Sequence, residues 1–213
     1  MTNIKSCWRK YMYPLFETVC IRDAKVMYPE WHIRRYEESF LRFYGYPPQE
    51  PLFDSVSLLD SLQRLPASDT VKMKILYGSK GKTVELSPYS SKNIQTLKMV
   101  EADDIDYSLK FADRSCLDEL TSQRDIYDDI LIIKDEMVTD SSFCNIVFFD
   151  GDRYITPSTP LLRGVARQRL LDLGVIEERE IKAVDIGKFG SFVLINAMRD
   201  FFSLPQIPVG NIF

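Results

Sequence analysis

Glu101-Ala102-Asp103-Asp104-Ile105-Asp106-Tyr107-Ser108-Leu109-Lys110-Phe111-Ala112-Asp113-Arg114 is the stretch on which the reading of this chain turns. Its first half is acidic and follows an apolar run, Thr96-Leu97-Lys98-Met99-Val100, that reads as a strand. This acidic linker is the best candidate boundary, between a small N-terminal α+β domain (1–102) and a larger domain (103–213). The second half sets Lys110 just after the strand region and just before Arg114 to Arg124, which reads as a helix. A lysine so placed can point inward, where loss of water depresses its pKa and makes it a nucleophile toward aldehydes. The plainer alternative is a lysine at a strand end, exposed to solvent.

Upstream, Phe16 to Ile21 is a β-rich run, with Arg22-Asp23-Ala24-Lys25 as a turn behind it. Pro29 opens a helix through about Tyr44, with apolar residues at 33, 36, 40, 41 and 44 in helical spacing. Pro47, Pro48 and Pro51 end it, and Asp54 is a candidate cap for a short second helix through Leu65. Val71 to Tyr77 and Thr83 to Leu86 read as paired strands joined by Gly78-Ser79-Lys80-Gly81. Downstream, strands are expected at Ile130 to Ile133, Asn145 to Phe149, Arg153 to Thr156 and Ser191 to Ile195. Asp150-Gly151-Asp152 joins the middle pair as a hairpin, and Gly164 opens a helix through Leu173. The fold class is therefore α+β, in two parts.

Composition narrows the functional classes. The chain has 213 residues, a net charge of -4 and a sequence pI of about 5.2, which argue against a nucleic-acid-binding surface. The apolar character near the N-terminus is broken by Lys5, Arg9 and Lys10, so neither a signal peptide nor a membrane span is expected. Cys7, Cys20, Cys116 and Cys144 are scattered without a C-x-x-C pair, which argues against common zinc sites and a disulfide framework. A cytoplasmic, reducing compartment is expected. The single histidine, His32, lies in Trp31-His32-Ile33-Arg34-Arg35-Tyr36, a helical segment rather than a nucleophile pocket. Proton transfer is therefore expected from a lysine, a carboxylate or a tyrosine.

Three further segments carry chemistry. Val138-Thr139-Asp140-Ser141-Ser142-Phe143-Cys144-Asn145-Ile146 sets a carboxylate before small polar residues and a strand. It suits a partner for a protonated ring nitrogen, or equally an Asx-turn. Pro157 to Arg167 leads a polar loop through Gly164 into a helix start, which can bind phosphate through unpaired amides or be an ordinary N-terminus. Val193-Leu194-Ile195-Asn196-Ala197-Met198 is a buried strand ending in small and polar residues.

Taken in order, these segments resemble the class IV aminotransferases, the fold-type IV group of pyridoxal phosphate (PLP) enzymes. That group includes branched-chain and D-amino acid aminotransferases and 4-amino-4-deoxychorismate lyases. The resemblance runs from about Leu15 to Leu204. Leu15-Phe16-Glu17-Thr18-Val19 looks like the family's F-E-T strand, and Trp31 to Tyr36 is similar to its H-x-x-R-L helix. Val138 to Phe148 is similar to V-T-E-x-x-x-x-N-x-F, and Arg163 to Gln168 to G-I-x-R-Q. The Asn196-Ala197 pair looks most like the lyase branch.

The resemblance implies a D-amino acid aminotransferase-like two-domain fold, with 103–213 as the PLP-binding domain. It implies Lys110 as the Schiff-base lysine and general base, Arg35 with the amides of Val165 and Ala166 on the cofactor phosphate, and Asn196 and Ala197 beside it. Asp140 falls on the carboxylate that faces the ring nitrogen. Phe16, Lys72 and Tyr107 fall near the substrate, an amino acid or an amino-chorismate, and a homodimer is implied. Asp140 departs from the family's usual glutamate and is one methylene shorter. Tyr77 stands where members often carry a substrate-binding arginine. Lys72 and Lys74, two apart on one strand, face the same way and offer replacement positive charge or a solvated face. Three readings follow: amino-group transfer, elimination of pyruvate from aminodeoxychorismate, or PLP binding with little turnover.

Overall fold

A computed structural model describes residues 12–54, 63 and 68–213. The short helix expected from Asp54 through Leu65 falls outside the described residues except at Asp54 and Gln63. The chain packs as two compact units. One comprises the chain up to Ser91 together with Leu109–Asp113, and the other comprises Lys92–Ser108 and Arg114–Phe213.

The N-terminal unit is an antiparallel sheet with one helix. Its strands are β1 (Leu15–Arg22), β2 (Lys25–Val26), β3 (Thr70–Gly78) and β4 (Gly81–Pro88), in the order β2-β1-β3-β4. Helix α1 spans Pro29–Tyr44. Proline suits its first turn because its missing N–H has no intrahelical partner there. Gly45 ends it at φ 81 in the left-handed region, its N–H bonding the Leu41 carbonyl.

Strand alternation gives the sheet two distinct faces. Leu15 pairs with Tyr77, Glu17 with Ile75 and Val19 with Met73. These residues face α1, and all but Glu17 build a core with Tyr36, Phe40 and Leu109. Phe16, Thr18, Cys20, Lys72, Lys74 and Leu76 therefore share the other face. Leu109–Asp113 runs along the free edge of β1: Phe16 N–H bonds the Lys110 carbonyl at 3.0 Å, and Phe111 bridges Leu15. That edge is open because β2 covers only the far end of β1.

In the C-terminal unit the strands are β5 (Leu97–Glu101), β6 (Asp129–Lys134), β7 (Met137–Ser141), β8 (Asn145–Phe149), β9 (Tyr154–Pro157), β10 (Glu177–Arg179), β11 (Ser191–Ile195) and β12 (Ile207–Pro208). The order is β10-β9-β8-β7-β6-β5, with β11 antiparallel to both β8 and β12. Two helices, α2 (Ser115–Ser122) and α3 (Val165–Asp172), complete it. Residues 137–141, read from the sequence only as a carboxylate before a polar turn, form strand β7. The turn follows at 142–144. Leu131, Val138, Ile146, Phe148, Phe192 and Leu194 lie in its main core. Among the described residues, no helix is long and apolar enough to cross a membrane.

Candidate active site

In the N-terminal unit the lysine of interest stands on an aromatic floor. Lys110 is half-buried, and its Nζ lies 4.7 Å from the centroid of the Phe16 ring. Lys74 Nζ lies 4.8 Å from the same centroid. Both amines thus reach one ring on the sheet face turned away from α1. An aromatic ring attracts a cation through its quadrupole, yet offers no hydrogen bond to hold it in one orientation. Lys72 shares the face but lies farther along, opposite Cys20. Tyr77 is on the opposite face, buried against Tyr36 with ring centroids 4.8 Å apart.

Behind this sheet lies a buried polar network that no sequence motif announces. Glu17 is fully buried, and Arg35 grips it side-on, Nε donating to Oε1 at 2.7 Å and an Nη donating to Oε2 at 2.5 Å. His32 Nδ1 lies 2.7 Å from the same Oε2. An ionised carboxylate only accepts, so Nδ1 carries the proton. Burial by itself raises the pKa of Glu17, but the charge of Arg35 and the hydrogen bonds from His32 and Arg35 outweigh it and hold it at about 2. His32 is pushed below 6.5, first by burial; its hydrogen bond to Glu17 opposes this, while the charges of Arg35 and Lys110 add to it. The network is thus an ion pair with a neutral imidazole. A glutamate inside a mostly apolar strand, Leu15-Phe16-Glu17-Thr18-Val19, is the sequence signal from which it could have been found.

In the C-terminal unit Asp140 is buried near the end of β7. Its Oδ1 accepts from Asn145 Nδ2 at 2.7 Å and its Oδ2 from the Leu162 N–H at 2.9 Å. Burial raises its pKa to about 6, against the lowering effect of those donors and of the Arg167 charge. Asn145 Nδ2 also donates to the Leu162 carbonyl at 2.9 Å, tying β8 to the loop before α3. Gly164 caps α3 with extended backbone, and no side chain caps the helix start. The amides of Val165 and Ala166 open that helix.

Asn196 follows β11, whose Ile195 pairs with Asn145, so the strand register brings the Asn196-Ala197 turn beside the same strand end. Asn196 Nδ2 lies 3.2 Å from Cys144 Sγ, and its Oδ1 accepts from the Met198 N–H. The structure thus draws Asp140, the start of α3 and Asn196 around Asn145, although they are separated by up to 56 residues in sequence. Tyr107 is buried in this unit under the Arg114 guanidinium, 5.8 Å from ring centroid to carbon, with Arg114 donating to its hydroxyl at 3.4 Å. Among the described residues, no group of three or more His, Cys, Asp or Glu side chains is placed to hold a metal ion.

The model of the family described as Amino-transferase class IV matches residues 108–207, which include Lys110, Asp140, Val165, Ala166, Asn196 and Ala197. A protein of Haemophilus influenzae is 40% identical over 189 residues, 88% of this chain and 98% of its own length. The chain belongs to the class IV aminotransferase family. The crystal structure of a protein of Haemophilus somnus, provisionally named a 4-amino-4-deoxychorismate lyase, is similar at 36% identity, covering 87% of this chain and 96% of that one with a TM-score of 0.80. The PLP-bound form of a hypothetical aminotransferase from Mycobacterium tuberculosis, 17% identical, shares the fold, covering 97% of this chain and 84% of its own with a TM-score of 0.72. The chain thus has the fold-type IV aminotransferase fold, in α+β form.

Proposed function

We propose that this member of the class IV aminotransferase family is a PLP-dependent enzyme that transfers amino groups through covalent attachment of the cofactor to Lys110. The observation that carries the reading is the half-buried Lys110 amine over the Phe16 ring, its backbone fixed on the edge of β1. The donor set suits the group chemically. An uncapped helix start and an arginine suit a phosphate, a primary amine suits an aldehyde, and a buried carboxylate suits a basic ring nitrogen.

When bound, the cofactor supplies an electrophilic aldehyde and a ring that spreads the negative charge left at the amino-bearing carbon. The phosphate is assigned to Arg35 and the amides of Val165 and Ala166, with Asn196 and Ala197 beside them. Lys110 Nζ would hold the aldehyde covalently, and the same amine is assigned as the base for the proton on the substrate's amino-bearing carbon. Asp140, ionised above about pH 6, would keep the cofactor's ring nitrogen protonated. Phe16 floors the site, and Lys72 and Tyr107 are assigned to the substrate.

A second reading is supported by the Haemophilus somnus relative and by the Asn196-Ala197 pair: elimination of pyruvate from aminodeoxychorismate to give p-aminobenzoate. It uses the same lysine and needs no amino acceptor. PLP binding with little turnover is a third, motivated by aspartate at position 140. We also read the protein as a cytoplasmic homodimer, for which light scattering should give twice the 24.8 kDa chain mass.

The test is an absorbance spectrum with PLP before and after borohydride, for the wild type and Lys110→Ala. A visible band that depends on Lys110 and is fixed covalently supports the assignment; an identical band in Lys110→Ala overturns it. Single-turnover products then separate the three readings. A transaminase leaves the cofactor as its amine, a lyase releases pyruvate and regains the starting spectrum, and a binding protein does neither.

A further inference from the structure

Asp140 is one methylene shorter than the glutamate usual in its family, and both of its oxygens are engaged from within its own unit. Asn145 stands directly opposite it in the β7–β8 pairing. The Asn145 amide is fixed from several directions. Its Nδ2 bridges Asp140 Oδ1 and the Leu162 carbonyl, while its Oδ1 lies 2.0 Å from where a Cβ on residue 164 would sit. Only glycine at 164 leaves room for it. Asn145, Gly164 and Leu162 thus form a cradle, and Asp140 is its occupant.

We infer that Asn145 is a positioning residue, one that aims the Asp140 carboxylate and holds it in its ionised form. The inference rests on the reading of Asp140 as the partner of the cofactor's ring nitrogen. Its chemistry is direct. The groups facing the carboxylate, Asn145 Nδ2 and the N–H groups of Leu162 and Leu161, offer only hydrogens. Each favours the anion over the neutral acid.

The remaining charged and titratable neighbours act around this cradle. Arg167 on α3 favours ionisation. The Cys144 thiol, in the turn before β8, is pushed up to about 12 by burial and stays neutral. Asp129 at the start of β6, near Cys144, is itself raised by burial. Asn145 is therefore the side chain whose removal takes a direct hydrogen bond from Asp140 while leaving every charge in place.

The test follows the carboxyl carbon of Asp140 by NMR across pH in the chain without cofactor, assigned by its absence in Asp140→Asn. The wild-type midpoint is expected near 6. Asn145→Ala should raise it by about one pH unit, a tenfold change in proton affinity. Gly164→Ala, which displaces the Asn145 amide without removing it, should raise it in the same direction and serves if Asn145→Ala fails to fold. With PLP bound, the acid limb of the single-turnover rate should move upward by the same amount. In an Asp140→Asn background, which lacks that limb, Asn145→Ala should leave the pH dependence of the residual rate unchanged. An unchanged Asp140 midpoint in the folded variants, or a rate loss equal at all pH values, would overturn the inference. If no Lys110-dependent cofactor binding exists, the functional reading fails, but the midpoint measured without cofactor still decides the role of Asn145.

Discussion

Replacing Glu17 by glutamine removes the charge at the centre of the Glu17–Arg35–His32 network while keeping its shape. The carboxyl falls from 4.5 to about 2 in the folded protein, which at about 1.4 kcal/mol per pH unit favours the ionised form by roughly 3 kcal/mol. Breaking a buried pair by removing one partner typically costs about 3–5 kcal/mol, because the other charge remains buried and uncompensated. Glu17→Gln should therefore lower the stability of the N-terminal unit by about 3 kcal/mol at pH 7. Urea unfolding followed by Trp31 fluorescence in a Trp8→Phe background reads this directly, since Trp31 precedes His32 on α1. The folded pKa is depressed, so the stabilisation is complete above 4.5 and is lost as pH falls toward 2. The wild type should accordingly converge on the variant as pH falls through that window. A difference below about 0.5 kcal/mol at pH 7, or one independent of pH between 4.5 and 2, would refute the reasoning.

Lys74, which meets the Phe16 ring beside Lys110, should contribute more to a substrate carboxylate than Lys72 does. Lys74→Met is expected to raise KM for a carboxylate-bearing amine about tenfold, a loss of roughly 1.4 kcal/mol, and Lys72→Met less. Steady-state kinetics of the two variants check the order. Asp140 carries a raised pKa, so activity that needs its anion should fall as pH drops through about 6, and Asp140→Asn should abolish that limb along with most of the rate. The same raised pKa makes Asp140 increasingly destabilising as pH rises from 3.8 to about 6. Denaturation of Asp140→Asn should show that component of the pH dependence gone.

Much of the architecture was legible because local rules dominate it. The helix at 29–44 followed from Pro29 and its apolar spacing, the β3–β4 pair from its glycine-bounded turn, and the 150–152 hairpin from Asp-Gly-Asp. Strand β7 was less legible, since Met137-Val138-Thr139-Asp140-Ser141 is short and half polar. Its pairing with β6 supplies what its composition does not. Asn145 was visible only as one letter of a spaced motif. Its role depends on the Leu162 carbonyl and on the space at Gly164, and neither is expressed by spacing.

Ordered motifs along the chain were enough to determine the family, because each segment keeps its local shape: an F-E-T strand, a helix with an arginine, a lysine after an acidic linker, a carboxylate strand and a glycine-led helix. They also placed Lys72 and Lys74 on one strand face, since side-chain direction alternates with every residue. Only the tertiary structure decided that Leu109–Asp113 packs with the N-terminal unit, on the edge of β1, because edge pairing joins residues far apart in sequence. That contact sets Lys110 over Phe16, and with it Lys74 rather than Lys72. It was likewise packing that buried Glu17 between His32 and Arg35, and closed Asn145 and Leu162 on Asp140. The ionisation of both carboxylates depends on burial and on those donors, and sequence order alone records neither.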